Sequence, residues 1–203
     1  MNFFKVKSQF LLVLPIMIVV TASFILFDLI LPSPTTTSQV YSQLKGGLTP
    51  VEGRYYKTEK RFFEVILPEG WKAQKSEVEN ASIIVANPLD GSREFKILAA
   101  NIIDKEELKL TQEELYKKTL RSVEGKLEKS LGIKPLLATE KNLVINSYSV
   151  NFARFEYPDQ EYGLDFYFIK QGNRVFSILF NFLKWQEADA TIVSSTLDSF
   201  RIL

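Results

Sequence analysis

Residues 164–182 read LDFYFIKQGNRVFSILFNF, two runs dense in aromatic and β-branched residues on either side of Gln171-Gly172-Asn173. Runs of this kind joined by a short turn containing Gly specify a β-hairpin, and a hairpin makes its strands antiparallel. Further strands flank it. Residues 61–67 (RFFEVIL) set Phe63, Val65 and Leu67 on one side of an extended chain and Phe62, Glu64 and Ile66 on the other. Pro68-Glu69-Gly70-Trp71 follows as a turn. Residues 82–86 and 95–103 read as strands separated by the turn-rich Asn87-Pro88-Leu89-Asp90-Gly91-Ser92, and residues 136–139, 143–145 and 149–157 as three more.

One long helix interrupts these strands. Thr111-Gln112-Glu113-Glu114 is a capping box, in which the Thr hydroxyl and the Glu carboxylate each satisfy a backbone N–H that the first turn leaves open. Leu110 and Leu115 occupy staple positions beside it. Leu115, Thr119, Val123, Leu127 and Leu131 then recur every four residues, with Lys and Glu on the opposite side. Gly132 ends the helix, as the residue most at ease in a left-handed cap. A second helix is expected over residues 185–199, with Trp185, Ala188, Ile192, Val193 and Phe200 on its buried face. No repeat occurs at a fixed period. The pattern specifies an α+β domain: a mainly antiparallel sheet packed by a long central helix and a C-terminal helix, an α/β/α sandwich.

Ahead of this domain, residues 10–31 are almost wholly apolar, with Asp28 near the end. About 20 apolar residues at ~1.5 Å rise match ~30 Å of hydrocarbon, so this segment is expected to be one transmembrane helix, an uncleaved signal-anchor. Lys5 and Lys7 precede it and the next positive charge is Lys45, which puts residues 1–9 in the cytoplasm and the rest of the chain outside: periplasm, lumen or cell exterior. Val20-Thr21-Ala22 also offers a small-residue cleavage site, and a cleaved signal peptide would export the domain equally. Residues 32–53, rich in Pro, Thr, Ser and Gly, read as a flexible linker, and residues 54–203 as the extracytoplasmic domain.

The 203 residues are 46% hydrophobic and 13% aromatic, enough for a packed core. From Gly53 onward 22 basic residues balance 22 acidic ones, and no Lys/Arg run exceeds two, so neither nucleic acid nor a polybasic lipid surface is an expected partner. The chain has no Cys and no His. That removes disulfides, thiolate nucleophiles, a lipid-attachment Cys, Ser-His-Asp triads and imidazole-based zinc sites. Carboxylate, lysine and oxygen-ligand metal chemistry survive.

The strand ending in Leu67-Pro68-Glu69-Gly70-Trp71, the long amphipathic helix, the hairpins and the Trp-led last helix closing in Asp198-Ser199-Phe200 together resemble the PsbP/DcrB-like superfamily. The resemblance covers residues 54–203, and its motifs are structural. It implies an α/β/α sandwich of the kind found in photosystem II extrinsic subunits and bacterial envelope proteins. Relatives serve as assembly factors, extrinsic subunits and chaperone-like binders. Many bacterial members are held by a lipidated Cys, a task that residues 10–31 would take over here.

Candidate chemical residues are few. Trp71 and Trp185 could line a groove, but a Trp after a turn or before a helix more commonly plugs the core. Asp104, Glu106 and Glu107, or Asp159 and Glu161, could ligate Ca²⁺ or Mn²⁺, yet their spacing matches no EF-hand loop and the first group suits a helix N-terminus. Lys184 could be a buried amine, though nothing near it in sequence favours that. Ser194-Ser195-Thr196 has no base to activate it, and Tyr148, Tyr157, Tyr162 and Tyr167 lack the basic stripe of a base-stacking platform. No catalytic, metal or cofactor site is expected. The chain is read as a membrane-tethered, non-catalytic module that binds or helps assemble another membrane or envelope protein complex. The alternative is a small-ligand or lipid carrier with an apolar groove between sheet and C-terminal helix. A hydrolase working through carboxylates alone ranks third.

Overall fold

The computed structural model describes residues 48–157 and 162–203. The expected membrane helix, most of the linker, and Asp159 and Glu161 lie outside these residues. Among the described residues no helix is long and apolar enough to cross a membrane.

The described residues form eleven strands and three helices in the order β1 (Thr49–Val51), β2 (Tyr55–Lys57), β3 (Phe63–Ile66), β4 (Lys72–Val78), β5 (Ala81–Asn87), β6 (Arg93–Asn101), α1 (Lys105–Lys109), α2 (Gln112–Leu131), β7 (Leu136–Ile145), β8 (Tyr148–Tyr157), β9 (Tyr162–Gln171), β10 (Arg174–Phe182), α3 (Glu187–Ser199) and β11 (Arg201–Ile202). The fold is α+β and mainly antiparallel. Eight strands form one sheet in the order β1-β4-β5-β6-β10-β9-β8-β7, and a smaller sheet runs β11-β3-β2.

The large sheet is buried on both faces, which explains why β9 and β10 read as near-continuous apolar runs and not as simple alternation. One face carries Ile83, Leu98, Phe155, Phe166, Phe168 and Leu179, and α2 lays Leu115, Tyr116, Val123 and Leu127 over it. The other face carries Phe95, Phe152, Tyr167, Phe176 and Phe180, and meets Phe63, Val65, Val193, Leu197 and Phe200 from the small sheet and α3. Both cap expectations for α2 hold. Thr111 and Glu114 form the full capping box, and Gly132 closes the helix at φ 68° while donating its N–H to Glu128 at 2.9 Å.

Several elements differ from the sequence reading. The strand around Phe63–Ile66 belongs to the small sheet, which takes Phe63 and Val65 away from the large one. Residues 136–145 form one strand, with a register shift between Leu137 and Thr139. Thr49–Val51, within the stretch read as linker, pairs with β4. β4 itself, KAQKSEV, is too polar to announce a strand. The last helix starts at Glu187, because the Asp189 carboxylate accepts the Gln186 N–H at 2.7 Å and fixes the first turn there. Its buried face is Asp189, Val193, Thr196 and Leu197, while Ala188 is exposed and Ile192 half-buried. Of the expected stripe Val193 and Phe200 are buried, and Asp189 joins that face because Arg93 of β6 draws it inward, with Nε and Nη2 donating to its two carboxylate oxygens.

Candidate functional site

A groove of about 290 Å³ lies between α3 and the outer half of the large sheet. Its floor runs from Asp165 and Tyr167 of β9 through Phe152 and Arg154 of β8 to Lys141, Leu143 and Ile145 of β7. Ala190, Val193, Ser194 and Leu197 form the helical wall, and Trp185 closes one end. Since β7 is the last strand of the sheet, the floor reaches the sheet edge.

The floor holds one ion pair. Arg154 and Asp165 stand directly opposite in the β8–β9 register, and Nε and Nη2 of Arg154 donate to the two oxygens of Asp165 at 2.6 and 2.7 Å. The guanidinium also lies over the Trp185 ring, 4.1 Å from its centroid, and 5.6 Å from that of Phe182. Burial pushes the Asp165 carboxyl above its ordinary range, and the hydrogen bonds from Arg154 pull against it. The same hydrogen bonds raise the Arg154 pKa. Tyr167 beside them is raised as well, first by burial and then by the Asp165 charge. The two hydrogen bonds tie the charged ends of Arg154 and Asp165 to each other.

Two features hold α3 over this floor. The β7–β8 hairpin turns through Asn146 and Ser147, both at positive φ (50° and 69°), as a two-residue primed turn demands. From that turn Asn146 Nδ2 donates to the carbonyls of Leu197, Asp198 and Phe200 at 2.9, 3.2 and 3.0 Å, satisfying the open C-terminal end of α3. At the other end the Arg93–Asp189 pair pins the first turn.

The residues singled out by sequence distribute as follows. Trp185 precedes α3, packs half-buried against the core as read, with Phe182 and Phe180 edge-on to it at 5.1 and 6.2 Å, and also lines the groove. Trp71 is half-buried against the core and does not line the groove. Asp104 caps α1 by accepting the N–H groups of Glu106 and Glu107 at 2.7 and 3.3 Å. Glu106 pairs with Lys109, and buried Glu107 with Lys118 at 2.6 Å. No metal-ligating cluster occurs among the described residues. Lys184 is exposed. Ser194, Ser195 and Thr196 donate their hydroxyls to carbonyls of their own helix. Of the tyrosines, Tyr167 floors the groove, Tyr148 accepts the Ile202 N–H at 3.2 Å, and Tyr162 donates to Asn181 at 3.2 Å. Tyr157 is buried on the α2 side, 5.5 Å from the Tyr162 ring.

Arg154 and Asp165 escaped the sequence reading, although a signal exists. Arg154 shares the strand parity of Val150 and Phe152, and Asp165 that of Tyr167 and Ile169, so two opposite charges interrupt one apolar face on neighbouring strands.

No family model matches the chain, and no curated protein matches it in sequence. Solved structures of similar shape do. A protein of Bacteroides thetaiotaomicron VPI-5482 is 14% identical with a TM-score of 0.47, over 75% of this chain and 49% of that one. Cyanobacterial PsbP of Synechocystis sp. PCC 6803 is 14% identical with a TM-score of 0.48, over 77% of this chain and 92% of its own. The immunity protein TplEi of the Pseudomonas aeruginosa T6SS, solved with an "L" peptide, is 10% identical with a TM-score of 0.42, over 84% and 63%. The chain thus spans about half the length of the Bacteroides protein. Likenesses at this level assign no residue a role.

Proposed function

We propose that this chain is a non-catalytic binding module whose groove between α3 and the sheet accepts apolar side chains of another protein. The observation behind this reading is the make-up of the groove: apolar walls from Leu143, Ile145, Phe152, Val193 and Leu197 around an ion pair that already satisfies itself. A reacting site needs a group left to give or take a proton, and Arg154 and Asp165 are committed to each other. Openness argues for a protein anchor over a carried ligand. Sites for small molecules bury most of the ligand's surface, whereas this groove of about 290 Å³ lies open along the sheet edge.

The membrane side of the proposal rests on sequence: the apolar run at 10–31 and the lysines ahead of it would tether the module outside the cytoplasm, near a membrane or envelope complex. Retention of the full chain in membranes after alkaline carbonate washing tests the tether. A photo-reactive side chain at Ser194, on the groove wall, tests the groove, with Ser195 as the control on the solvent side of the same helix. Protein adducts from position 194 and none from 195 are expected. Adducts to lipid alone, or equal yields from both positions, would defeat the proposal.

A further inference from the structure

The large sheet ends unequally. β1, at one edge, is three residues long, while β7, at the other, is ten. Among the described residues β7 pairs only with β8, so every second residue turns its N–H and C=O outward, and an edge of that length without a partner there is a template for another strand. It also exposes Leu136, Leu137 and Val144, the last at 78%. No Pro lies within it, and beyond the irregularity at Leu137/Thr139 its pairing is regular to Ile145.

We propose that the partner binds as an extended segment that adds a ninth strand along β7, with an acidic residue facing Lys141 and apolar residues two positions away facing Leu143 and the groove rim. The proposal rests on the groove reading above and specifies its partner. Lys141, Leu143 and Ile145 share the face that floors the groove, so side chains of an added strand on that face stand at its open side. The Lys141 ammonium lies over the Phe152 ring, 5.4 Å from its centroid, and makes no ion pair among the described residues. The neighbouring charge of Arg154 is answered by Asp165. Among the described residues the rim therefore presents a positive charge without an ion-pair partner beside apolar surface, the complement of a carboxylate flanked by apolar residues.

A second copy of this chain fits the edge poorly. Two-fold antiparallel pairing keeps faces aligned only when it is centred on a residue. Centring on Glu140 opposes two carboxylates, and centring on Lys141 opposes two ammonium groups, both unfavourable. Moving one residue either way sets Lys141 against Leu137 or Leu143. The edge discriminates against itself while accepting a segment of the right charge.

Selection of random extended peptides on the full chain in detergent provides the test. Recovered peptides are expected to carry Asp or Glu with β-branched or aromatic residues two positions to either side. Methylating alternate backbone N–H groups in one phase should abolish their binding, and in the other phase should not. Lys141→Glu, at an exposed position, should weaken acidic peptides by about fivefold and shift selection toward basic ones. Peptides indifferent to N-methylation in both phases but lost on Ala190→Trp would keep the groove and overturn strand addition. Peptides lost on N-methylation but indifferent to Ala190→Trp would overturn the groove reading alone. Recovery of no peptide would overturn both, and efficient disulfide dimers of Val144→Cys chains would assign the edge to a second copy instead.

Discussion

Arg154 and Asp165 face each other across β8 and β9 and are joined by two hydrogen bonds, and the same guanidinium lies over the Trp185 ring, 4.1 Å from its centroid. Asp165 is 1% exposed in its side chain and Arg154 24%. The carboxylate thus depends on the arginine for its solvation, whereas the arginine keeps some access to water. That asymmetry decides what each substitution does.

Arg154→Ala strands a buried carboxylate and is expected to cost about 3–5 kcal/mol at neutral pH. Burial already holds the folded-state pKa of Asp165 above its ordinary value, and without Arg154 it rises further. In the window between unfolded and folded pKa the folded state binds more protons, so stability is present below the ordinary carboxylate range and lost as pH rises. The deficit of the variant should therefore be largest at neutral pH and shrink on acidification, as read by urea denaturation across pH. A deficit that does not change with pH would mean that lost stacking on Trp185, and not the stranded charge, dominates.

Thr111→Ala tests the start of α2. The Thr111 hydroxyl accepts the Glu114 N–H at 3.3 Å and the Glu114 carboxylate accepts the Thr111 N–H at 2.8 Å. Loss of the hydroxyl should lower stability by about 1 kcal/mol, measured by thermal or chemical unfolding. An unchanged midpoint would show that the first turn is held by Gln112, which reaches Ser149, Asn151 and Lys170, and not by its cap.

That helix was legible because its signals are local: a capping box, an apolar residue each turn and a terminal Gly act within one segment. The β9–β10 hairpin was legible for the same reason, its strands meeting across Gly172-Asn173. What stayed hidden depends on distant partners. β4 is a strand because β1 and β5 flank it, not because KAQKSEV favours one. β3 reads as a strand, but its place in the small sheet depends on Arg201–Ile202, far along the chain. The groove exists because Asn146 holds one end of α3 and Arg93 the other, and no pattern within residues 187–199 reports either contact.

Gly163→Ala probes the packing behind Trp185. A Cβ at position 163, opposite Phe182 in the β9–β10 register, would run into the Phe182 ring. The ring cannot yield without moving Trp185, whose centroid lies 5.1 Å away. The variant should lose about 1–3 kcal/mol through overpacking, and its Trp185 fluorescence should shift in a Trp71→Phe background. Unaltered fluorescence together with full stability would show that the ring relaxes freely and that the groove end is not rigid.

Ala190→Trp separates the groove's function from the fold. Ala190 is exposed on α3 and lines the groove, so an indole there can lie along Val193 and Leu143 without displacing a buried side chain. Helix propensity falls by roughly 0.5 kcal/mol on this change, which burial of the new ring offsets, so stability should stay within about 1 kcal/mol of the parent. Partner recovery should nonetheless fail, because the volume that accepts the anchor is filled. Ser195→Trp adds the same ring to the same helix away from the groove and should leave recovery intact. An Ala190→Trp chain that unfolds like the parent and still retains its partner would remove the groove from the binding surface, and with it the reason for reading Trp185, Arg154 and Leu143 as parts of one site.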